Sequence, residues 1–364
     1  MNFTPSMIFL VFLLCQFATT KTCCAFDIHT LKYPSIFKIS PLHQSVRLNS
    51  SPTENNNDDD DGQSPPLSDI ALSRFPTSPE DQVRQAALSI SEASNAGKKR
   101  HNIRLLLPII GATELDDWPG GLPQMMEAAS PLVRGILSGM EQTPSDELLD
   151  EDSNGDVKKT VAISVSERVI DEADEVRALF SQGVNPVDDG CGVLLPSSDS
   201  VDVLQSLDKQ VGLKRNLLVV NSQWKRKTDF GLQFFGGNRQ KKIDFVEKFE
   251  PTYHCSSIMV EGDIVRILRV FPGPWKVYIR VVEPSNNNVD WIKIGKKDVI
   301  NEKTPEWEAA VAKEKGISDG GKIFDYGIPS YSDVEQMIVS RDGYVKKSLQ
   351  ERAASSLIFI KDTL

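Results

Sequence analysis

Four short apolar runs constrain this 364-residue chain more than any other feature: IRLLLPII (Ile103–Ile110), TVAISV (Thr160–Val165), GVLL (Gly192–Leu195) and LLVV (Leu217–Val220). None alternates apolar with polar residues. A strand that reads continuously apolar is buried on both faces, and such strands belong to sheets sandwiched between helices. Helical stripes lie between the runs. Leu122, Met125, Met126, Ala129, Val133, Ile136 and Leu137 recur at helical spacing, with Pro131 expected to kink or split that segment. Val169, Ile170, Ala173, Val176 and Phe180 make a second stripe. Val201, Leu204, Leu207 and Val211 make a third, with Ser198-Asp199-Ser200 as its N-cap. An earlier helix is capped by Ser78, carries Pro79 at its first position and ends at Asn95-Ala96-Gly97. This alternation predicts an α/β fold with a mostly parallel, Rossmann-like sheet and helices on both faces.

After Val220 the pattern changes. Tyr253–Val260, Ile264–Phe271 and Trp275–Glu283 follow one another as strand-like runs, the last two joined by a Pro-Gly-Pro turn. Trp275, Val277, Ile279 and Val281 share one face, so antiparallel strands are expected to extend the sheet after residue 250. Helices are expected around Trp307–Lys315 and Ser332–Ala354.

Composition narrows the function classes. With 40% hydrophobic and 25% charged residues the chain lies in the globular range. A net charge of −10 argues against a nucleic-acid partner. The one long apolar stretch, Met7–Phe17, is eleven residues without a charge, which fits a secretory signal core and is too short to span a bilayer. Residues 1–25 therefore read as a signal peptide, with a cut after Ala25 exposing Phe26. Phe26–Ser51, with Lys32, Lys38 and Arg47 against the single acid Asp27, reads as a basic, hydroxylated, acid-poor transit peptide, and the acidic spacer Glu54–Asp61 follows, so residues 26–61 are expected to be transit peptide and disordered spacer. Such a bipartite presequence resembles that of algae whose plastid lies inside the endomembrane system; a secreted protein with a polar pro-segment is the alternative. Residues 62–364 are expected to form one α/β domain, with its core at about 78–354 and no transmembrane segment. Three of five cysteines fall in the presequence, which leaves Cys191 and Cys255 and no disulfide framework.

In an open α/β sheet, ligands bind beyond the carboxyl ends of the parallel strands. The candidate rim comprises Gly111, Asp116, Asp117, Gly120, Gly121, Arg168, Ser197, Asn221, Gln223 and Trp224. Gly120-Gly121 at a strand-to-helix turn lets backbone amides approach an anion. Helix capping by Asp116 or Asp117 and a Pro119 start account for the same residues. Lys225, Arg226 and Lys227, with Arg239, Lys241 and Lys242, form a basic patch that suits an acidic partner or anionic lipid, or is simply a solvated surface. Catalytic constellations do not emerge. HExxH, CxxC and G-x-S-x-G are absent, and adjacent His254 and Cys255 on one strand would face opposite sides. No catalytic residue, metal ligand or cofactor is assigned, and a non-catalytic role is expected.

Several stretches carry a resemblance: Ile110–Gly121 (IGATELDDWPGG), Val220–Trp224 with Asp229-Phe230-Gly231, Arg269–Tyr278 (RVFPGPWKVY) and the Ser330-Tyr331-Ser332 helix. They are similar to the uncharacterised plastid domain family that includes the photosystem II assembly factor Low PSII Accumulation three and that is also fused to a plastid adenylate kinase. The resemblance implies a plastid protein of the stroma or thylakoid surface, with thylakoid membrane proteins among its partners and a role in photosystem biogenesis. It carries over no catalytic residue. The alternative function is nucleotide or phosphometabolite binding at the rim in the stroma.

Overall fold

The computed structural model describes residues 74–107, 121–140, 164–172, 175–182, 189–231, 238–282, 288–313 and 321–361. The proposed presequence, the Gly111–Gly120 part of the rim and the acidic Thr143–Asp156 loop lie outside the described residues.

Helix α1 (Pro79–Asn95) begins and ends where its sequence punctuation says. Ser78 Oγ accepts the Asp81 amide at 3.1 Å, and Gly97 follows the C-cap at φ 82°. Strand β1 (Arg100–Arg104) leads toward α2 (Gly121–Gly139). The segment is not split at Pro131: α2 continues through it as one helix. The ring removes one backbone hydrogen bond, at about 3 kcal/mol. Burial of Met125, Ala129, Leu132, Val133, Ile136 and Leu137 along one face outweighs it.

The stripe at Val169–Phe180, expected to be a helix, is a hairpin: β2 (Ser164–Asp171) pairs antiparallel with β3 (Val176–Gln182). Two apolar residues at i and i+1 fit either period, but Ser164, Ser166 and Arg168 alternate with Val165, Glu167 and Val169, and β-branched residues favour the strand. β4 (Gly190–Leu194), α3 (Val201–Val211) and β5 (Asn216–Val220) follow. A 3-10 turn (Lys227–Phe230) and α4 (Asn238–Val246) lead into β6 (Glu250–Val260), β7 (Asp263–Val270), β8 (Trp275–Val282) and β9 (Val289–Lys297). Helices α5 (Pro305–Lys313), α6 (Tyr331–Val339) and α7 (Leu349–Lys361) complete the chain. The single helix expected at Ser332–Ala354 is thus two, separated by a reversal at Gly343, whose φ of 72° is left-handed.

All nine strands form one sheet in the order β2-β3-β4-β5-β1-β6-β7-β8-β9. It is α/β, as expected, but not mostly parallel. β1 pairs parallel with β5 and β6, and β4 with β5. The other five pairings, β2–β3, β3–β4, β6–β7, β7–β8 and β8–β9, are antiparallel. The reason lies in connection length. Parallel neighbours need a crossover of a dozen residues or more, and the β6–β7 and β7–β8 links are tight turns. Continuous burial marks the strands of the parallel core: β4 and β5 are buried at all five positions.

One sheet face is covered by α1 and α2, which pack on Ile103, Leu105, Leu218, Val220, Tyr253 and Cys255. The opposite face carries two separate apolar clusters. Near β4 and β5, α3 and α4 with Trp224, Phe230 and Ile323 cover Cys191, Val193, Leu217 and Val219. Near β7 and β8, α6 covers Val265, Ile267, Trp275, Val277 and Ile279 through Val334 and Ile338. Between these two clusters lie β1 and β6, and there the face turns polar.

Candidate functional site

At the carboxyl ends of β4, β1 and β5 the chain forms a tight knot of amide bonds. Asn221 follows β5 with φ 49°, a left-handed conformation that Asn tolerates. Its side chain clasps the backbone just past β1: Leu105 N donates to Asn221 Oδ1 at 2.7 Å, and Asn221 Nδ2 donates to Leu105 O at 2.9 Å. Gln223 Nε2 donates to Leu195 O at 2.8 Å, and its own amide donates to Pro196 O at 3.1 Å. Ser197 Oγ accepts the Asp199 amide at 3.1 Å, at the entry to α3. Trp224 is buried, with its ring 6.0 Å from that of Phe230. Asn221, Gln223, Ser197 and Trp224 are therefore brought to one rim, each already engaged by its neighbours. Gly121 opens α2 with φ 68°. Gly111, Asp116, Asp117 and Gly120 fall outside the described residues.

Arg168 does not join them. It sits mid-strand in β2, at the edge of the sheet three strands from β5. There its guanidinium lies 5.1 Å from the Phe180 ring centroid, in a shallow open cleft of about 280 Å³ whose other walls include Cys191, Leu207 and Arg215. Burial pushes the Cys191 thiol up to about 12 and the Cys255 thiol to about 11, so neither is a thiolate at neutral pH.

The basic patch is contiguous in space. Lys225 and Arg226 precede the 3-10 turn, Lys227 opens it, and Arg239 Nε, from α4, donates to Lys227 O at 3.1 Å. Lys225, Arg226 and Lys241 are exposed. Asp229 Oδ2 accepts the backbone amides of Lys225 and Arg226 at 2.7 and 2.9 Å, which fixes the loop without covering its side chains. Residues 321–323 dock alongside: the Lys227 amide donates to Gly321 O at 3.0 Å. Lys242 is paired with Asp202 at 2.8 Å.

Behind this ridge, the polar part of the sheet face holds residues that the motif search passed over. Arg104 of β1 stands in register with His254 of β6, and His254 with Arg269 of β7. Arg104 Nη1 donates to Ser222 O at 3.1 Å, and burial lowers its guanidinium to about 10. Burial, then the charges of Arg104 and Arg269, hold His254 down at about 3, so it is neutral. Lys225 is lowered by burial and by Arg104, with Asp229 opposing. Arg104 and His254 are both half-buried. The signal for this row was present in the sequence: IRLLL and VRILRV place arginines inside runs that otherwise read as buried. Cys255 points into the opposite core, so the expectation that it and His254 face opposite sides holds.

Among the described residues, no cluster of three or more His, Cys, Asp or Glu side chains is arranged to hold a metal ion, and no helix is long and apolar enough to cross a membrane. Fold and sites together define a mixed-sheet α/β protein with a basic ridge and a row of Arg104, His254 and Arg269 across one sheet face. The chain belongs to the family described as Domain of unknown function (DUF1995), which it matches over residues 76–297, from just before α1 to the last residue of β9. Comparison with curated proteins and with solved structures gave no match.

Proposed function

We propose that this protein is delivered to a plastid and works there by docking on other macromolecules, as an assembly or interaction factor of the stroma and thylakoid surface. The observation that carries the reading is the basic ridge of Lys225, Arg226, Lys227, Arg239 and Lys241 on a chain of net charge −10. Such a local reversal of sign orients an approaching acidic surface and speeds its encounter. The signal-plus-transit pattern of residues 1–61 supports the compartment, and the resemblance to the photosystem II assembly family supports the thylakoid partner. The alternative, nucleotide or phosphometabolite binding at the rim, draws less support, because the side chains of Asn221, Gln223 and Ser197 are occupied in holding their own turns.

Two measurements test this. A fluorescent fusion of residues 1–61 is expected in the plastid, and secretion would end the compartment reading. The mature chain is expected to sediment with thylakoids at low salt, and the triple charge reversal of Lys225, Arg226 and Lys241 to Glu is expected to release it. Equal association of both proteins, or normal photosystem subunit levels in a disrupted strain, would remove the docking role.

A further inference from the structure

Alternation along β8 puts Lys276, Tyr278, Arg280 and Val282 on the α1 side of the sheet. The β9 register sets Lys296 opposite Lys276, Lys293 opposite Tyr278, Trp291 opposite Arg280 and Val289 opposite Val282. Phe75, just ahead of α1, packs at the inner edge of this face, its ring 4.8 Å from that of Tyr278 and 5.2 Å from that of Trp291. Beyond that edge Lys293 and Lys296 are exposed, and Lys276 and Arg280 are half-buried. None of these four cations has an ion-pair or hydrogen-bond partner among the described residues, although Lys297, on the other face, pairs with Asp333 at 2.7 Å. The one acid within the two strands, Asp290, stands opposite Val281 on that other face, and its Oδ1 accepts the Trp291 amide at 2.7 Å. Like charges directly opposite on neighbouring strands destabilise a sheet. Lysines on a terminal strand guard it against edge pairing, which accounts for Lys293 and Lys296. It does not account for Lys276 and Arg280, because β8 is paired on both sides. Local choices that oppose the fold mark places kept for another use.

We infer that this face of β8 and β9 docks on an anionic lipid surface, with Lys276, Arg280, Lys293 and Lys296 meeting the headgroups and Val282 and Val289 reaching below them. Charge complementarity carries the choice of an anionic partner, and three features favour a bilayer. Three of the four cations are lysines, point charges on flexible stems that suit a diffuse charged layer, whereas recognition of carboxylates on a protein favours the arginine fork. Val282 and Val289, cross-strand neighbours 42% and 46% exposed, set an apolar pair beside the cations, the order of hydrocarbon beside headgroup. The rings of Phe75, Tyr278 and Trp291 are spent on one another and on the buried Arg266, whose guanidinium carbon lies 4.1 Å from the Trp291 ring centroid, so the face is no stacking platform for nucleic-acid bases. The ridge at Lys225 is built on elements that cover the opposite sheet face, so this surface is separate from it and goes beyond the docking reading without depending on it.

All the described residues fall in the compact unit Gln63–Leu364, so the mature chain is the species to test. It is floated on phosphatidylcholine vesicles with and without an equal part of phosphatidylglycerol, which contain no protein and so read this face apart from any docking partner. Flotation on the anionic vesicles alone is expected, and it should fade at high salt. Lys293→Gln and Lys296→Gln, both on the surface, should each weaken partition about fivefold, and together about twenty-fivefold. Lys209→Gln with Lys214→Gln, exposed elsewhere, removes the same net charge and should leave partition near that of the parent chain. Lys276→Gln relieves the like-charge pair, so it should float less well yet melt no lower. A lower melt with unchanged flotation would make these lysines structural and overturn the inference. So would undiminished flotation of the Lys293→Gln, Lys296→Gln chain, or equal flotation on vesicles without phosphatidylglycerol. Saturable binding of polyglutamate with no vesicle binding would assign the face to an acidic protein and overturn it as well. Val289→Ser should weaken partition severalfold, and unchanged partition would overturn the apolar part of the contact.

Discussion

Asn221 does at the residue scale what a further strand residue would do, and does it with a side chain. It gives Leu105 both an acceptor and a donor while its own amide donates to Ile103 O at 2.9 Å. Asn221→Ala leaves two buried backbone groups unmet and puts a Cβ residue without a local hydrogen bond at φ 49°. The expected loss is roughly 2–4 kcal/mol in a denaturant titration. Asn221→Gly, which relieves the backbone alone, should recover only part of it. A second buried group weakens the fold in acid. His101 is fully buried with Nδ1 2.9 Å from Thr252 Oγ1 and Nε2 3.2 Å from Asn216 Oδ1. Burial, only partly opposed by the Asn216 bond, lowers it to about 4. The unfolded chain binds its proton near pH 6.5, so between pH 6.5 and 4 the unfolded state holds more protons and stability falls with pH. The shift is worth roughly 3 kcal/mol across that window. His254 acts in the same direction. His101→Gln should therefore be less stable at pH 7 yet show a shallower loss from pH 6.5 to 4, and an unchanged slope would refute the assignment.

Between elements, α2 comes close to β4 at two glycines. A Cβ on Gly192 would stand 2.7 Å from Val133 Cγ1, and one on Gly190 would stand 2.8 Å from Leu137 Cδ2. Gly192→Ala is expected to cost about 1–3 kcal/mol by overpacking. Adding Val133→Ala should return part of that loss in a thermal melt; a purely additive double variant would show that the contact is not the cause. The same elements explain what could be read in advance. The runs at Gly192–Leu195 and Leu217–Val220 are the doubly buried β4 and β5, α1 follows its cap and stripe, and α3 follows its stripe, with no cap bond from the Ser200 side chain. What the pattern hid was pairing. Leu105, Leu106 and Leu107 are fully buried yet lie past the end of β1, so burial alone did not mark strand length. At Val169–Phe180 the apolar spacing fits both periods, and only the partner strand decides. The rim residues Asn221, Gln223 and Ser197 were legible as a cluster because they follow strand ends. The row of Arg104, His254 and Arg269 was not, because it exists only once β1, β6 and β7 are neighbours.

At the scale of the whole molecule, the family match stops at Lys297, but the sheet does not become self-sufficient there. The face of β7 and β8 buries Val265, Ile267, Trp275, Val277 and Ile279 against Val334 and Ile338, which lie beyond the match. Trp275 Nε1 donates to Tyr326 O at 3.0 Å, so the indole also takes its polar partner from that region. The Glu261–Asp263 turn is held from the same side: Lys347 reaches Asp263 at 2.7 Å and Gly262 O at 2.9 Å, and Arg352 bonds Glu261. Removing residues 298–364 would strip one face of a twisted sheet and expose a contiguous apolar surface, a state that monomeric proteins seldom tolerate. A chain ending at Lys297 is therefore expected to aggregate or to bind a hydrophobic dye strongly, whereas removing residues 362–364 should change neither solubility nor melting temperature. If the shorter chain instead stays monomeric with an unchanged melt, the segment after β9 is an appendage and the cluster around Trp275 contributes little. The match boundary would then be the fold boundary as well. The expected outcome makes the cover of β7 and β8 part of the folding unit.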